Sequence, residues 1–342
     1  MRWQFSRDDL GHRANQVSAE TRRRVIEAAR QLGYRTNSAA SATSTGRFNA
    51  VGLLMSQQQH QSTVVGSMLR GLHDAFAARG IHLTVTFVDD EHLTSDEHLP
   101  KILSHAMVDG LLLNYTHGIP DRMVELVARH NLPTVWINSK QPANCVYPDD
   151  DGAGYQATKL LLEAGHQRIL YLDLTAGVED AGEIHYSHID RRAGYERAMR
   201  EATLEPFAVV STRRLTHRLV TDEAARILAV EPRPTAVVGY CRHDCDALLR
   251  AGPKFGLSVG ENLSMVIIEH LQPLTGPKVD TLILPEFHVG HAAASMLLDR
   301  LDNPSTDQPA MAIPMTHQFG ETVLPIRWVE SFSDRGGLNV LP

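Results

Sequence analysis

The sequence predicts an α/β protein: two doubly wound parallel sheets in succession, preceded by a short all-helical head and a hinge. Three observations predict this. From Ala50 onward, short apolar runs alternate with amphipathic segments of about ten or more residues, the pattern of βαβ units. The alternation restarts after the run PDDDG at 148–152, so two units of similar size follow one another. Residues 1–47 hold nine arginines against four acids, a balance of +5, whereas the remainder carries −12. A basic head on an acidic body points to a polyanion partner for the head alone. A solvated terminal helix would show the same charge.

The head supplies the first element. Ser18 is a good N-cap for AETRRRVIEAARQLGY, and Val25, Ile26, Ala29 and Leu32 recur at helical spacing. Arg22, Arg23, Arg24 and Arg30 ring the rest of that helix, and Gly33 stops it. So narrow an apolar stripe must pack on something. Residues 35–48, RTNSAASATSTGRF, are small and polar, the composition of a segment that orders when docked.

The core elements follow in order. AVGLLM at 50–55 reads as a strand, SMLRGLHDAFAARG at 67–80 as a helix, and the alternating IHLTVTFV at 81–88 as a strand. LPKILSHAMV (99–108) is helical, DGLLLNY (109–115) a strand, IPDRMVELVARHN (119–131) a helix and LPTVWIN (132–138) a strand. In the second unit, helices are predicted near 154–166, 191–202, 222–230 and 243–256. The strands between them are RILYLDL, FAVVST, TAVVGY and LSMVIIEH. Crossovers of this kind are right-handed, and ligands of open parallel sheets sit beyond the C-terminal strand ends. Two facing lobes would place that crevice between them.

Several classes are excluded. With 43% hydrophobic and 21% charged residues, the 342-residue chain is neither disordered nor fibrous. No apolar run approaches about 18 residues, and the N-terminus lacks a secretory core, so a cytoplasmic protein with no membrane partner is expected. Three cysteines make no disulfide framework. Cys241, His243 and Cys245 space as C-x-H-x-C, which is not a structural zinc pattern, and no second ligand pair lies nearby. There is no GxGxxG, P-loop or nucleophile elbow. Neither an enzyme nor a cofactor or metal is expected.

The run VSAETRRRVIEAARQLGYRTNSAA, then TGRFNAVGLL, resembles the junction of head, hinge and core in the lactose/galactose repressor (LacI/GalR) family of bacterial regulators. MLRGLHDA, MVDGLLL, DDDGAGYQATKLLLEAGHQRILYL, DRRAGYERAM and GLSVGENLSMVIIEH continue the likeness in the family's order, over about residues 5–325. The resemblance implies a periplasmic-binding-protein-like two-lobed core. It implies a homodimer that presents two helix-turn-helix units to an operator, with hinge helices wedging the minor groove. It also implies a small polar, sugar-like effector between the lobes. The organisation so implied is a head over 1–33, a hinge over 34–48, a core over 49–325 and a tail over 326–342. Within the core, an N-lobe spans 49–149 and 286–313, and a C-lobe spans 150–284 and 314–325.

The head departs from the family pattern. It is shorter by roughly 20 residues. FSRDDLG reads as a degenerate recognition helix, with Ser6 and Arg7 matching the family's Ser-Arg pair; a start codon placed too far downstream explains the shortness as well. In the hinge, Tyr34, Asn37 and Ala40 match, while Thr36, Ser41 and Thr43 replace proline, arginine and the leucine wedge. The resemblance assigns DNA contact to Ser6, Arg7, Arg22, Tyr34, Arg35, Asn37, Thr43 and Arg47.

For the effector it assigns Arg191, Glu269, Asp149, Asp150, Val64 and Cys241. Arg191 holds the effector-clamping position, with a surface arginine paired to Asp190 as the alternative. Glu269 and His270 replace two acids. Asp149 and Asp150 either accept ligand hydroxyls or cap the helix starting near Gly152. Val64 and Val65 stand where relatives place aromatics, and Cys241-Arg242 falls on an Asn-Asp pair. The HYSH stretch before Arg191, with His185 and His188, reads as a surface loop, with a lining of the cleft mouth as the alternative. A small-molecule-binding protein without autonomous DNA recognition is the second reading of the whole.

Overall fold

The computed structural model describes residues 18–34, 42, 46–57, 62–88, 107–116, 119, 121–130, 132–176, 184–211, 215–270 and 275–326. Residues 99–106 of the helix expected at 99–108 and the first 17 residues lie outside this set, as does the hinge at 35–41 and 43–45, while residues 107 and 108 are not helical. The chain divides into two compact units. One comprises residues 1–137, 141–145 and 290–310, the other 138–140, 146–289 and 311–342.

Helix α1 (Ala19–Gln31) forms as its caps dictate: the Ser18 side chain accepts from Thr21 N, and Gly33 takes a positive φ of 61° past its end. None of its residues is buried, and Val25, Ile26 and Leu32 stay exposed. The core begins where Asp109 receives Phe48 N and Asn49 N, each at 2.8 Å.

The first sheet runs β11-β5-β4-β3-β1-β2. Its strands are β1 (Ala50–Ser56), β2 (His82–Val88), β3 (Gly110–Asn114), β4 (Thr134–Ile137), β5 (Cys145–Pro148) and β11 (Met311–Ile313). Helices α2 (Gly66–Ala77) and α3 (Asp121–His130) follow β1 and β3 in the chain. Sequence pattern and position agree. Unbroken apolar runs form the central β1 and β3, buried on both faces. The alternating β2 forms an edge, with Val85 and Phe87 exposed.

The second sheet runs β12-β10-β9-β8-β6-β7. It is built from β6 (Ile169–Asp173), β7 (Phe207–Val210), β8 (Ala236–Gly239), β9 (Ser264–Glu269), β10 (Asp280–Ile283) and β12 (Thr316–Gln318). Among the described residues its strand pairings are parallel except β10 with β12. The helices of this part are α4 (Asp150–Glu163), α5 (Tyr186–Glu201), α6 (His217–Leu228) and α7 (Arg242–Ala251); α8 (Glu286–Asp302) follows β10, and from Gly290 it belongs to the first unit. Alternate strand residues feed opposite faces. Tyr171, Val238 and Ile268 pack with Ala157, Leu161 and Met199 of α4 and α5, while Leu172, Val237 and Ile267 pack with Ala224 and Leu248 of α6 and α7.

Helices α4 and α5 touch backbone to backbone. A Cβ on Gly154 would stand 2.0 Å from Arg191 O, and one on Gly194 2.0 Å from Asp151 O. Only glycine fits at either position. Replacement of Gly194 by alanine should therefore cost about 1–3 kcal/mol in urea unfolding of the full chain. Gly66→Ala, with nothing within 4 Å of the added methyl, should stay within about 0.5 kcal/mol.

Candidate functional site

In the second unit the chain leaves β6 toward β7 on one side, and β8 pairs on the other. That reversal is where an open parallel sheet leaves a crevice beyond its strand ends. Asp173 closes β6, Tyr240 and Cys241 follow β8, and Glu269 closes β9. Polar side chains gather at these ends.

Arg191, on α5, occupies the middle. Its Nε donates to Asp150 Oδ1 at 2.7 Å, and Nη1 donates to Tyr240 O at 2.6 Å and Ile268 O at 3.0 Å. The guanidinium lies 4.4 Å over the Tyr240 ring. Both partners of the pair are buried, Arg191 at 5% and Asp150 at 2% exposure. Burial pushes the Asp150 carboxyl up against the pull of Arg191. Burial would lower Arg191, but the Asp150 charge outweighs it and raises the guanidinium. The alternative of a surface arginine paired with Asp190 is thus overturned: Asp190 takes Lys140 Nζ, which also sits over the Tyr147 and Tyr186 rings.

Asp149 is the N-cap of α4, accepting from Gly152 N at 3.0 Å. The helix consequently starts at Asp150, two residues before the expected place. Asp150 itself serves Arg191, so the two neighbouring acids have different tasks. Cys241 caps α7 in a reciprocal box with Asp244. Burial pushes the Cys241 thiol well up and disfavours its thiolate. Among the described residues no group of three His, Cys, Asp or Glu could hold a metal ion.

Asp244 Oδ1 accepts from Leu174 N at 2.9 Å and Oδ2 from Cys241 N at 3.0 Å. Burial and the nearby Asp173 charge push Asp244 up to about 8. Asp173 is fully buried, and its Oδ1 receives Thr175 N, Thr175 Oγ1 and Ala176 N. Sequence reading passed over Asp173, Asp244 and Tyr240. The end position of Asp173 in RILYLDL was the available signal. The HYSH stretch is not a surface loop: His185 caps α5, and His188 sits in its first turn against Asp173 and Tyr240.

Val64 lies half-buried in the first unit, in the segment before α2. Of the DNA set, Arg22 is exposed on α1, Tyr34 follows it at 46% exposure, and Arg47 approaches Asp302 at 3.7 Å. Ser6, Arg7, Arg35, Asn37 and Thr43 lie outside the described residues.

Glu269 Oε1 accepts from His270 Nδ1 at 2.7 Å and His270 N at 2.9 Å, and Oε2 faces Arg242 N at 3.4 Å. Glu286 stands 3.6 Å from the same imidazole nitrogen. Burial works against the Glu269 charge, but these donors outweigh it and pull the group down to about 2. The Glu269 hydrogen bond raises His270 against its partial burial. The depressed carboxylate contributes stability above its ordinary value of 4.5, lost as pH falls toward 2. The raised imidazole contributes below 6.5, and that contribution is lost as pH rises through its folded value. His270→Gln should therefore lower the melting temperature most at about pH 5–6 and least above about pH 9. A pH-independent difference would contradict this pairing.

A profile of the periplasmic binding protein-like domain matches residues 158–323. The HTH-type transcriptional regulator AglR of Rhizobium meliloti is 29% identical over 279 residues, covering 77% of this chain and 73% of the relative. In fold, the transcriptional regulator CelR–cellobiose complex superposes with a TM-score of 0.63 at 23% identity, over 90% of this chain and 92% of the other. The Lac repressor dimer bound to operator and the anti-inducer ONPF gives 0.66 at 18% identity, over 85% and 99%. In sequence the chain is similar to HTH-type transcriptional regulators such as AglR, and its fold resembles that of these solved regulators.

Proposed function

We propose that this chain is a ligand-responsive transcriptional regulator that binds operator DNA as a homodimer in the cytoplasm, without enzymatic activity. A small, polar, sugar-like effector is received at the C-terminal strand ends of the second unit. The presence in one chain of an exposed arginine-ringed helix and of a core that gathers Arg191, Asp173, Tyr240 and Glu269 at a sheet switch point supports this function most directly. The similarity to AglR, and to regulator structures bound to cellobiose and to operator, supports the same reading.

The roles divide by geometry. Arg191 already spends Nε and Nη1 on Asp150 and two carbonyls, and its Nη2 has no hydrogen-bond partner among the described residues. Nη2 is the edge offered to a ligand hydroxyl, and Asp150 fixes its direction. Glu269 offers the lone pairs of Oε2 that the long Arg242 contact leaves available. Asp149 serves the fold rather than the ligand. On the DNA side, Arg22 and its neighbours contact phosphates, which position the protein without specifying sequence. Thr43 in place of the leucine wedge weakens the minor-groove kink, because it offers less apolar surface and an unsatisfied hydroxyl.

DNA binding of the full chain should fall steeply with salt. Arg22→Ala should shallow the logarithmic slope by about one unit, as for one lost phosphate contact. Micromolar binding that is blind to sequence would overturn the operator role in favour of a small-molecule-binding protein without DNA recognition.

A further inference from the structure

We propose that His188 is a specificity-determining residue of the effector site, presenting its Nε2 as a hydrogen-bond acceptor to a ligand hydroxyl. The proposal rests on the effector reading above and names a contact that reading does not contain.

The imidazole is held from two directions. Asp173 is fully buried on β6. Three donors from the following turn fill its Oδ1. Its Oδ2 is left for His188 Nδ1, 2.6 Å away. A carboxylate that accepts from Nδ1–H fixes the tautomer, so the neutral ring carries its lone pair on Nε2. The ring plane is set as well. It stacks on Tyr240 at 4.0 Å between centroids with 13° between planes. Tyr240 is itself fixed by Arg191 at 4.4 Å and by the Ser187 hydroxyl at 2.8 Å from its own. Rotation of His188 would break both the stack and the Asp173 bond.

What remains is an aimed acceptor. The His188 side chain keeps 15% of its surface exposed, and Nε2 has no hydrogen-bond partner among the described residues. His188 precedes Arg191 by three residues on α5, so both lie on one helix face over the same strand ends. The two groups are complementary. Arg191 Nη2 can only donate, whereas neutral His188 Nε2 can only accept. A hydroxyl both accepts and donates, so ligand hydroxyls can satisfy both groups. A carboxylate or phosphate has no proton to give Nε2, and it would face the Asp173 charge behind the ring. The site should therefore prefer neutral polyols to sugar acids and sugar phosphates.

Two isosteric halves of histidine separate contact from scaffold. Asparagine places its amide nitrogen near Nδ1, keeping the Asp173 bond and losing the distal acceptor. Glutamine reaches the position of Nε2 and restores an acceptor. Calorimetric titration and thermal shift of the full chain would use D-glucose, D-galactose, D-xylose and cellobiose. D-gluconate, D-glucuronate and glucose 6-phosphate would be run beside them under the same conditions. The expected result is a neutral sugar bound by the wild type and about tenfold more weakly by His188→Asn, the loss of one hydrogen bond. The melting temperature of free His188→Asn should stay within about 2 °C of wild type. His188→Gln should recover affinity to within about threefold of wild type. Unchanged affinity in His188→Asn, or no recovery in His188→Gln, would overturn the acceptor role. Binding of the acids or phosphates alone would also overturn it while leaving the effector site standing. No binding by any member would overturn the effector reading itself.

Discussion

The buried Arg191–Asp150 pair is the constraint on which the second unit's strand ends depend. Taking both charges out of water costs several kcal/mol each, a cost offset only by good geometry and further hydrogen bonds. Both are present: Asp150 meets Nε, and the carbonyls of Tyr240 and Ile268 meet Nη1. One side chain thereby joins α5 to the start of α4 and to the ends of β8 and β9. The cation also sits where carbonyl oxygens converge, so it neutralises negative potential at the strand termini.

That pair needs the two helices at close range, and the sequence provides it with small residues. Gly154 and Gly194 let α4 and α5 meet backbone to backbone, each glycine lying against the carbonyl of the other helix. Gly154 lies against Arg191 O, so the helix contact and the ion pair are one local arrangement. The neighbouring carboxyls follow a different logic. Asp173 and Asp244 use backbone N–H groups to hold the turns after β6 and β8. Burial, helped by repulsion from the Asp173 charge, keeps Asp244 protonated far above an ordinary aspartate.

The fold was legible because hydrophobic periodicity is a local signal. Continuous runs such as GLLLN and ILYLD became central strands, and the alternating HLTVTFV became an edge. Some short strands carried no such signal. β5, β11 and β12 hold three or four residues each, and only tertiary pairing makes them strands. Family resemblance picked out Arg191 and Glu269, yet it could not tell that Asp149 caps a helix while Asp150 holds a guanidinium. Adjacent residues on a helix start point in different directions, and one-dimensional spacing does not record which of them faces inward. His188 was read as loop for a related reason: its partner Asp173 lies 15 residues away, joined only by the return of α5 over the sheet.

The amino-acid sequence by itself determined the α/β class, the restart of the pattern near residue 150, the caps of α1 and the charge split between head and body. Each of these depends on residues near one another in the chain. Tertiary structure alone decided which acid answers Arg191, where the buried carboxyls share their charge, and how His188 is oriented. Those outcomes turn on desolvation and on hydrogen bonds between distant segments, whose strength exists only once the chain has closed around them.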